Sequence, residues 1–294
     1  MSILSDVSWK KSRIRLDTDA SAQPRRCGLD RTSIACPGEQ IGSGQVSFLS
    51  VIIPARNEAA SLGELVYEVW STCHKLCNRE TEPGERSIGG FEIIVVDDGS
   101  TDATPWVLEQ LTDQFPEFRP LCLRTNAGQS GATIAGLRAA QGDLVATLDA
   151  DLQNDPADLA ALWEALPGYD AALGWRVRRA DTHLKRIISR SANWFRNWVL
   201  GQSIRDTGCS VRLLPRSLML RLPVFHGVHR FWGPLLLREG CRIVQIPVQH
   251  HPRAHGRSHY NIWNRSFSVL VDLLGVIWLM RRPVRYEVHV PGRR

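Results

Sequence analysis

Leu144-Val145-Ala146-Thr147-Leu148-Asp149-Ala150-Asp151-Leu152-Gln153 is the stretch that decides how this chain is read. An apolar run follows Gly142-Asp143 and stops at two carboxylates one residue apart. The pattern predicts a buried strand with both acids at its C-terminal tip, where ligands of open α/β sheets collect. Carboxylates this close repel each other unless a cation lies between them. Hard oxygen donors favour Mg²⁺ or Mn²⁺, with positions left over for phosphate oxygens. A lone Asp-x-Asp is equally the end of a strand followed by a helix-capping acid, so the rest of the chain has to decide.

Toward the N-terminus, residues 48–54 predict a first strand, Ala55-Arg56-Asn57-Glu58 a turn, and residues 61–77 a helix. Residues 78–90 hold Pro83, Gly84, Gly89 and Gly90 and predict a surface loop. A second strand over 91–96 ends at Asp97-Asp98-Gly99-Ser100-Thr101-Asp102, an Asx-type lead into a helix over 103–115. A third strand near 120–124 runs through Asn126-Ala127-Gly128-Gln129-Ser130-Gly131-Ala132 into a helix ending near Gln141, whose small residues let it lie close on a sheet. A further strand is expected over 170–174. Repeated strand-then-helix units predict an α/β fold with a mostly parallel sheet flanked by helices. No Gly-x-Gly-x-x-Gly or Walker lysine loop follows the first strand, which argues against a dinucleotide oxidoreductase or a P-loop NTPase.

The chain has 294 residues, 43% of them hydrophobic, enough for one large domain or two small ones. Its net charge of +6 conceals a division. Residues 174–294 hold 22 Lys/Arg against 5 Asp/Glu, whereas residues 1–173 hold 14 against 25. Such a basic half suits nucleic acid, an anionic lipid surface or a phosphorylated substrate. Seven cysteines lack the spacing of a disulfide framework and are expected to be reduced. Cys73 and Cys77, one helical turn apart, are read as helix packing rather than half a metal site. Residues 1–45 are polar without a sustained apolar period and are expected to form a disordered extension with no secretory signal.

Three segments together carry a resemblance: Ser50-Val51-Ile52-Ile53-Pro54-Ala55-Arg56-Asn57-Glu58, Val95-Val96-Asp97-Asp98-Gly99-Ser100-Thr101-Asp102, and Asp149-Ala150-Asp151-Leu152-Gln153. In them the chain resembles the inverting nucleotide-sugar glycosyltransferases of family two, which have the GT-A fold. Within that family it is most similar to the dolichol-phosphate mannose synthase group and its bacterial polyprenyl-phosphate relatives. The narrower likeness rests on Gln153, on Asp206-Thr207-Gly208-Cys209-Ser210-Val211-Arg212, and on residues 251–260.

The resemblance implies that Pro54, Arg56 and Glu58 line the nucleotide, and that Val96 and Asp98 hold base and ribose. It further implies that Asp149, Ala150, Asp151 and Gln153 engage the donor diphosphate and its Mg²⁺ or Mn²⁺. Arg176 matches a position near the donor phosphates, and Arg253 and His259 match a pair that grips phosphate. Three residues depart from the family pattern: Arg56 stands where an aromatic is common, Asp155 where proline is common, and His259 where lysine is usual.

Transfer from a nucleoside diphosphate sugar requires the leaving diphosphate to be neutralised. A lipid phosphate acceptor is already ionised and needs no base, but two anions must then approach each other. Arginine forks suit that task, and Arg176, Arg212, Arg253 and Arg257, with Ser258 and His259, are the candidates for the phosphates. A hydroxyl acceptor would instead need a carboxylate base, for which Asp206 is the obvious candidate in the basic half. Pro252 and Gly256 break any helix that could present His251, His255 and His259 to zinc.

Residues 183–200 predict an amphipathic helix of apolar and basic residues. Residues 267–280 give about 21 Å of helix, short of the roughly 30 Å hydrocarbon core, with Asp272 inside it. Flanking arginines and Trp263 and Trp278 suit an interfacial helix, and core or dimer packing is the other reading.

The expectation is therefore a disordered extension over 1–45, a GT-A domain over 46–262, and an interfacial or packing helix and tail over 263–294. The enzyme would act at the cytoplasmic membrane face or as a soluble protein, moving mannose or a similar sugar from a GDP- or UDP-linked donor to polyprenyl phosphate. A small membrane-protein partner has room in this scheme, and nucleic acid does not. Alternatives are a family-two transferase acting on a glycan hydroxyl, and a non-catalytic basic lipid- or nucleic-acid-binding protein.

Overall fold

The computed structural model describes residues 44–177, 204–252 and 262–282, with side chains in the last segment from residue 271 onward. All lie in one compact unit, Ala35–Arg294. The expectations for residues 1–43, for the helix over 183–200, for Arg253, Arg257, Ser258 and His259, and for residues beyond 282 fall outside the described residues.

The long apolar runs form the strands they predict. Strands β1 (Val46–Ala55), β2 (Ser87–Asp97), β3 (Phe118–Cys122) and β4 (Leu144–Thr147) pair in parallel, in the spatial order β3-β2-β1-β4. Helices α1 (Ala59–Cys77), α2 (Thr104–Gln114) and α3 (Gly128–Ala139) make the crossovers. The sheet then continues through β6 (Arg212–Pro215), β5 (Ala171–Arg176) and β7 (Ile243–Val248), giving seven strands in the order β3-β2-β1-β4-β6-β5-β7. Only β6 runs against its neighbours: it pairs antiparallel with β4 and β5, while β5 and β7 are parallel. Its reversal has a functional consequence. Arg212, at the start of β6, lies in register with Thr147, at the end of β4.

One apolar cluster buries Val51, Ile53, Val95 and Ala146 beneath α1 and α4 (Asp158–Ala165). The other buries Ile52, Ile94, Val96 and Val145 beneath α3, α5 (Arg216–Arg221), α6 (Trp232–Arg238) and α7 (Ile262–Met280). This alternation is the period of a strand covered on both faces. Small residues let α3 lie close, as expected: a Cβ on Gly136 would stand 3.1 Å from Val96 Cγ2.

Two expectations are corrected. The loop over 78–90 ends at residue 86, because Ser87–Gly90 are already strand. Gly89 and Gly90 serve there by lacking side chains, since a Cβ on either would run into Val46 or Phe48 of β1. The strand over 170–174 extends to Arg176.

Candidate active site

The C-terminal ends of β1, β2, β4 and β5 and the start of β6 meet at one edge of the sheet. Side chains stitch the loops together there. Asn57, at φ +55, accepts the Thr101 N–H at 2.8 Å and donates its own N–H to Ser100 Oγ at 2.8 Å. Ser61, in the first turn of α1, donates to the Ala150 carbonyl at 2.8 Å. Asp102 accepts the Thr104 N–H at 2.9 Å, the Asx-type lead that the sequence predicts.

Asp149 is partly exposed and Asp151 is buried. Gln129 Nε2 donates to Asp149 Oδ1 at 2.7 Å, and the backbone N–H of Gln153 reaches Asp151 Oδ1 at 3.3 Å. Between them Leu152 adopts φ +57, a left-handed conformation that a branched side chain enters only when its surroundings impose it. Burial, then the charge on Asp151, push the Asp149 carboxyl above its ordinary value, opposed by Ser210, Arg212 and Arg176. A divalent cation would relieve that strain, and two carboxylates are suitable hard donors for it. Among the described residues no three His, Cys, Asp or Glu side chains form a metal-binding group. Two carboxylates would leave the remaining coordination positions to water or to ligand oxygens.

The cations sit alongside. Arg176 grips Asp206 with a fork, Nε to Oδ2 at 2.7 Å and Nη2 to Oδ1 at 3.1 Å. Burial opposes the charge on Arg176, but the bonds to Asp206 outweigh it and the guanidinium is held above its usual pKa. Arg212 is 7% exposed, stacks 5.1 Å from the Trp232 ring centroid, and donates Nη2 to the His229 carbonyl at 2.9 Å. Burial lowers its pKa, opposed by Cys209, Asp149 and Asp206.

The nucleotide-side residues divide. Pro54 is partly buried, Arg56 exposed and Glu58 partly buried at the end of β1, with the Glu58 N–H on Thr104 Oγ1 at 3.0 Å. Asp98 is buried, and its carboxylate accepts Asn126 Nδ2 at 2.8 Å and the Ala127 N–H at 2.6 Å. Val96 is a correction. It has no exposed surface and fills the core against α3, so its side chain packs rather than lining a site. Ala150 is buried and contributes its carbonyl to Ser61. Gln153 spends its amide on the His251 carbonyl at 3.3 Å, while its own carbonyl accepts the His251 N–H at 2.8 Å.

Gln129, Ser130, Ser210 and His229 join the site without having been singled out by the sequence. Ser130 Oγ lies 2.7 Å from His229 Nδ1, and Ser210 Oγ receives Asn154 Nδ2 at 2.9 Å. Gln129, Ser130 and Ser210 lie inside motifs quoted above, but nothing local in the sequence marks His229.

Comparison with known proteins bears on this arrangement. Residues 50–224 match the family model described as glycosyl transferase family 2. The chain is 35% identical over 244 residues to a dodecaprenyl-phosphate galacturonate synthase of Rhizobium johnstonii, covering 81% of this chain and 68% of that protein. It is 34% identical over 243 residues to an undecaprenyl-phosphate 4-deoxy-4-formamido-L-arabinose transferase of Edwardsiella ictaluri, covering 82% and 70%. Among solved structures it is similar to a Pyrobaculum calidifontis mannosyltransferase in complex with GDP-Man and Mn²⁺, at TM-score 0.56 and 20% identity over 84% of this chain and 68% of that one. It is also similar to a Mycobacterium tuberculosis glucosyl-3-phosphoglycerate synthase in complex with Mn²⁺, UDP-glucose and phosphoglyceric acid, at TM-score 0.58 and 20% identity over 79% and 80%. With this sheet order, and acids and arginines converging at one sheet edge, the chain belongs to glycosyltransferase family two and is a glycosyltransferase of GT-A fold.

Proposed function

We propose that the chain transfers a sugar, with inversion, from a nucleotide-linked donor to the phosphate of a polyprenyl phosphate. The observation that carries this reading is the state of Asp206. A hydroxyl acceptor needs a base, and the carboxylate nominated for that role is bound through both oxygens to Arg176. A carboxylate in such a fork is a weak base, because protonation would forfeit the pairing. A phosphate acceptor needs no deprotonation, and it needs cations, which Arg176 and Arg212 supply beside Asp149. The curated relatives, named for dodecaprenyl- and undecaprenyl-phosphate products, support the same acceptor class.

In this reading Asp149 and Asp151 would hold Mg²⁺ or Mn²⁺, which when bound supplies positive charge to the leaving diphosphate. Arg212 holds the diphosphate from the β6 side, and Arg176, steadied by Asp206, faces the incoming phosphate. The loops of Pro54, Arg56 and Glu58 and of Asp98 receive the nucleoside. Arg253, Ser258 and His259 remain proposed acceptor-phosphate ligands on the resemblance alone, and Gln153 a donor and metal ligand. Mannose is one sugar to test, beside the galacturonate and 4-deoxy-4-formamido-L-arabinose of the relatives' names.

The acceptor's lipid tail calls for a membrane surface. No helix among the described residues is long and apolar enough to cross a membrane. Helix α7 buries Leu273 and Val276 and turns Val271, Leu274 and Trp278 outward, at 52%, 59% and 60% exposure. Arg281 and Arg282 follow, with Arg282 over the Trp278 ring. That outward face suits the headgroup region of an anionic bilayer.

The test incubates purified protein and Mn²⁺ or Mg²⁺ with UDP- and GDP-linked forms of the three sugars, offering polyprenyl phosphate or glycan acceptors. Labelled sugar in the lipid phase is the expected result. Transfer confined to glycan hydroxyls would overturn the reading.

A further inference from the structure

Asp272 is the one acidic residue of α7, in a helix whose described side chains are otherwise apolar up to Met280. A half-buried carboxylate in such surroundings costs stability unless something holds it. Its neighbours belong to the turn that follows α5. Arg230 Nη1 lies 3.8 Å from Asp272 Oδ2. Gly227, at φ +94, backs directly onto the same carboxylate, so that a Cβ there would collide with it. The site lies on the far side of that turn. Gly227 donates its N–H to Ser130 Oγ at 3.0 Å, and the same hydroxyl meets His229 Nδ1 at 2.7 Å. The His229 carbonyl holds Arg212, and Gln129, adjacent to Ser130, holds Asp149.

We propose that Asp272 is a positioning residue for the transfer: from the C-terminal helix it fixes the Gly227–Arg230 turn, which in turn sets Arg212 beside Asp149. Both the turn and α7 lie beyond residues 50–224, the segment that matches the family model. The helix therefore does more than offer an apolar face to a membrane, because it closes the back of the donor site. The inference rests on the proposed function only in taking Asp149 and Arg212 as the diphosphate-binding pair.

The test measures binding of Mn²⁺ with UDP or GDP to the full chain by calorimetry, which needs no acceptor. Asp272→Ala is expected to weaken binding about tenfold, the usual scale for losing a group that orients a ligand-holding residue. Asp272→Asn, which keeps the shape and sheds the charge, is expected to fall between Asp272→Ala and wild type, and serves where Asp272→Ala folds poorly. Val276→Ala removes a buried methyl pair from the same helix without touching the turn. It should lower the melting temperature and leave affinity within about twofold. Arg230→Ala combined with Asp272→Ala should bind no worse than Asp272→Ala alone, since the two act through one contact. Equal affinity in wild type and Asp272→Ala, or an equal loss in Val276→Ala, would overturn the inference while leaving the donor reading intact. A wild-type chain that binds neither nucleotide overturns both.

Discussion

The fork between Arg176 and Asp206 places two buried charges, 18% and 6% exposed, in mutual dependence. Breaking it from one side should be expensive: Asp206→Ala strands the guanidinium and is expected to cost about 3–5 kcal/mol in urea unfolding. Asp206→Asn keeps the shape and separates the roles. A lost general base would reduce turnover by orders of magnitude, whereas a lost brace for Arg176 should leave transfer within about tenfold of wild type. Asp158 offers a second test, by pH. Burial pushes its carboxyl up to about 6 from 3.8, with Asp155 adding and the Gln249 N–H and His251 opposing. A folded-state pKa above the unfolded value means the fold prefers the protonated acid. Stability therefore declines as pH rises from about 4 through 6 and is flat above. Asp158→Asn, which can still accept the Gln249 N–H, is expected to be about 1 kcal/mol more stable than wild type at pH 7.5 and equal to it near pH 4. A gap of the same size at both values would refute the assignment.

Among the elements, α3 has the least room. Gly136 faces Ile52 and Val96, and Gly136→Ala is expected to destabilise by about 1–3 kcal/mol with the nucleotide affinity of the folded fraction unchanged, as read by urea unfolding beside calorimetry. That closeness was legible, because Ala, Gly and Ser recur along the segment. So were β1, β2 and β4, whose runs are long and end in acids and turn residues. Four-residue β6 left no such trace, and neither did the sense in which it runs. Its reversal is a tertiary choice, and it decides where Arg212 arrives. The Gly89-Gly90 pair was misread for a related reason: the residues that need the space, Val46 and Phe48, lie some forty positions away. The same distance hides Glu92, buried in β2. Its carboxylate accepts Ser50 Oγ and the Gln141 N–H, each at 2.6 Å, and pairs with Arg119.

For the whole molecule, the charge division and the late apolar helix pointed toward a membrane before any coordinates did. The helix proved amphipathic in a way the sequence left open, with Leu273 and Val276 in the core and Leu274 and Trp278 outside. Leu274→Ser with Trp278→Ser is expected to lower retention on anionic vesicles at least tenfold, on the scale of about 1.5–3 kcal/mol per large apolar side chain, with nucleotide binding retained. Unchanged retention in sedimentation would remove α7 from the membrane. The acids of the donor site were readable because a single turn holds them. His229 and Asp272 were not, because each acquires meaning only from a partner on another element.

Among the described strands, the two outermost of the sheet, β3 and β7, each contain a proline, Pro120 and Pro247. A proline nitrogen carries no hydrogen, so at those points an incoming strand finds one rung of its ladder missing. An enzyme crowded with its own copies on a bilayer gains from this, because rims that cannot be extended do not seed aggregates.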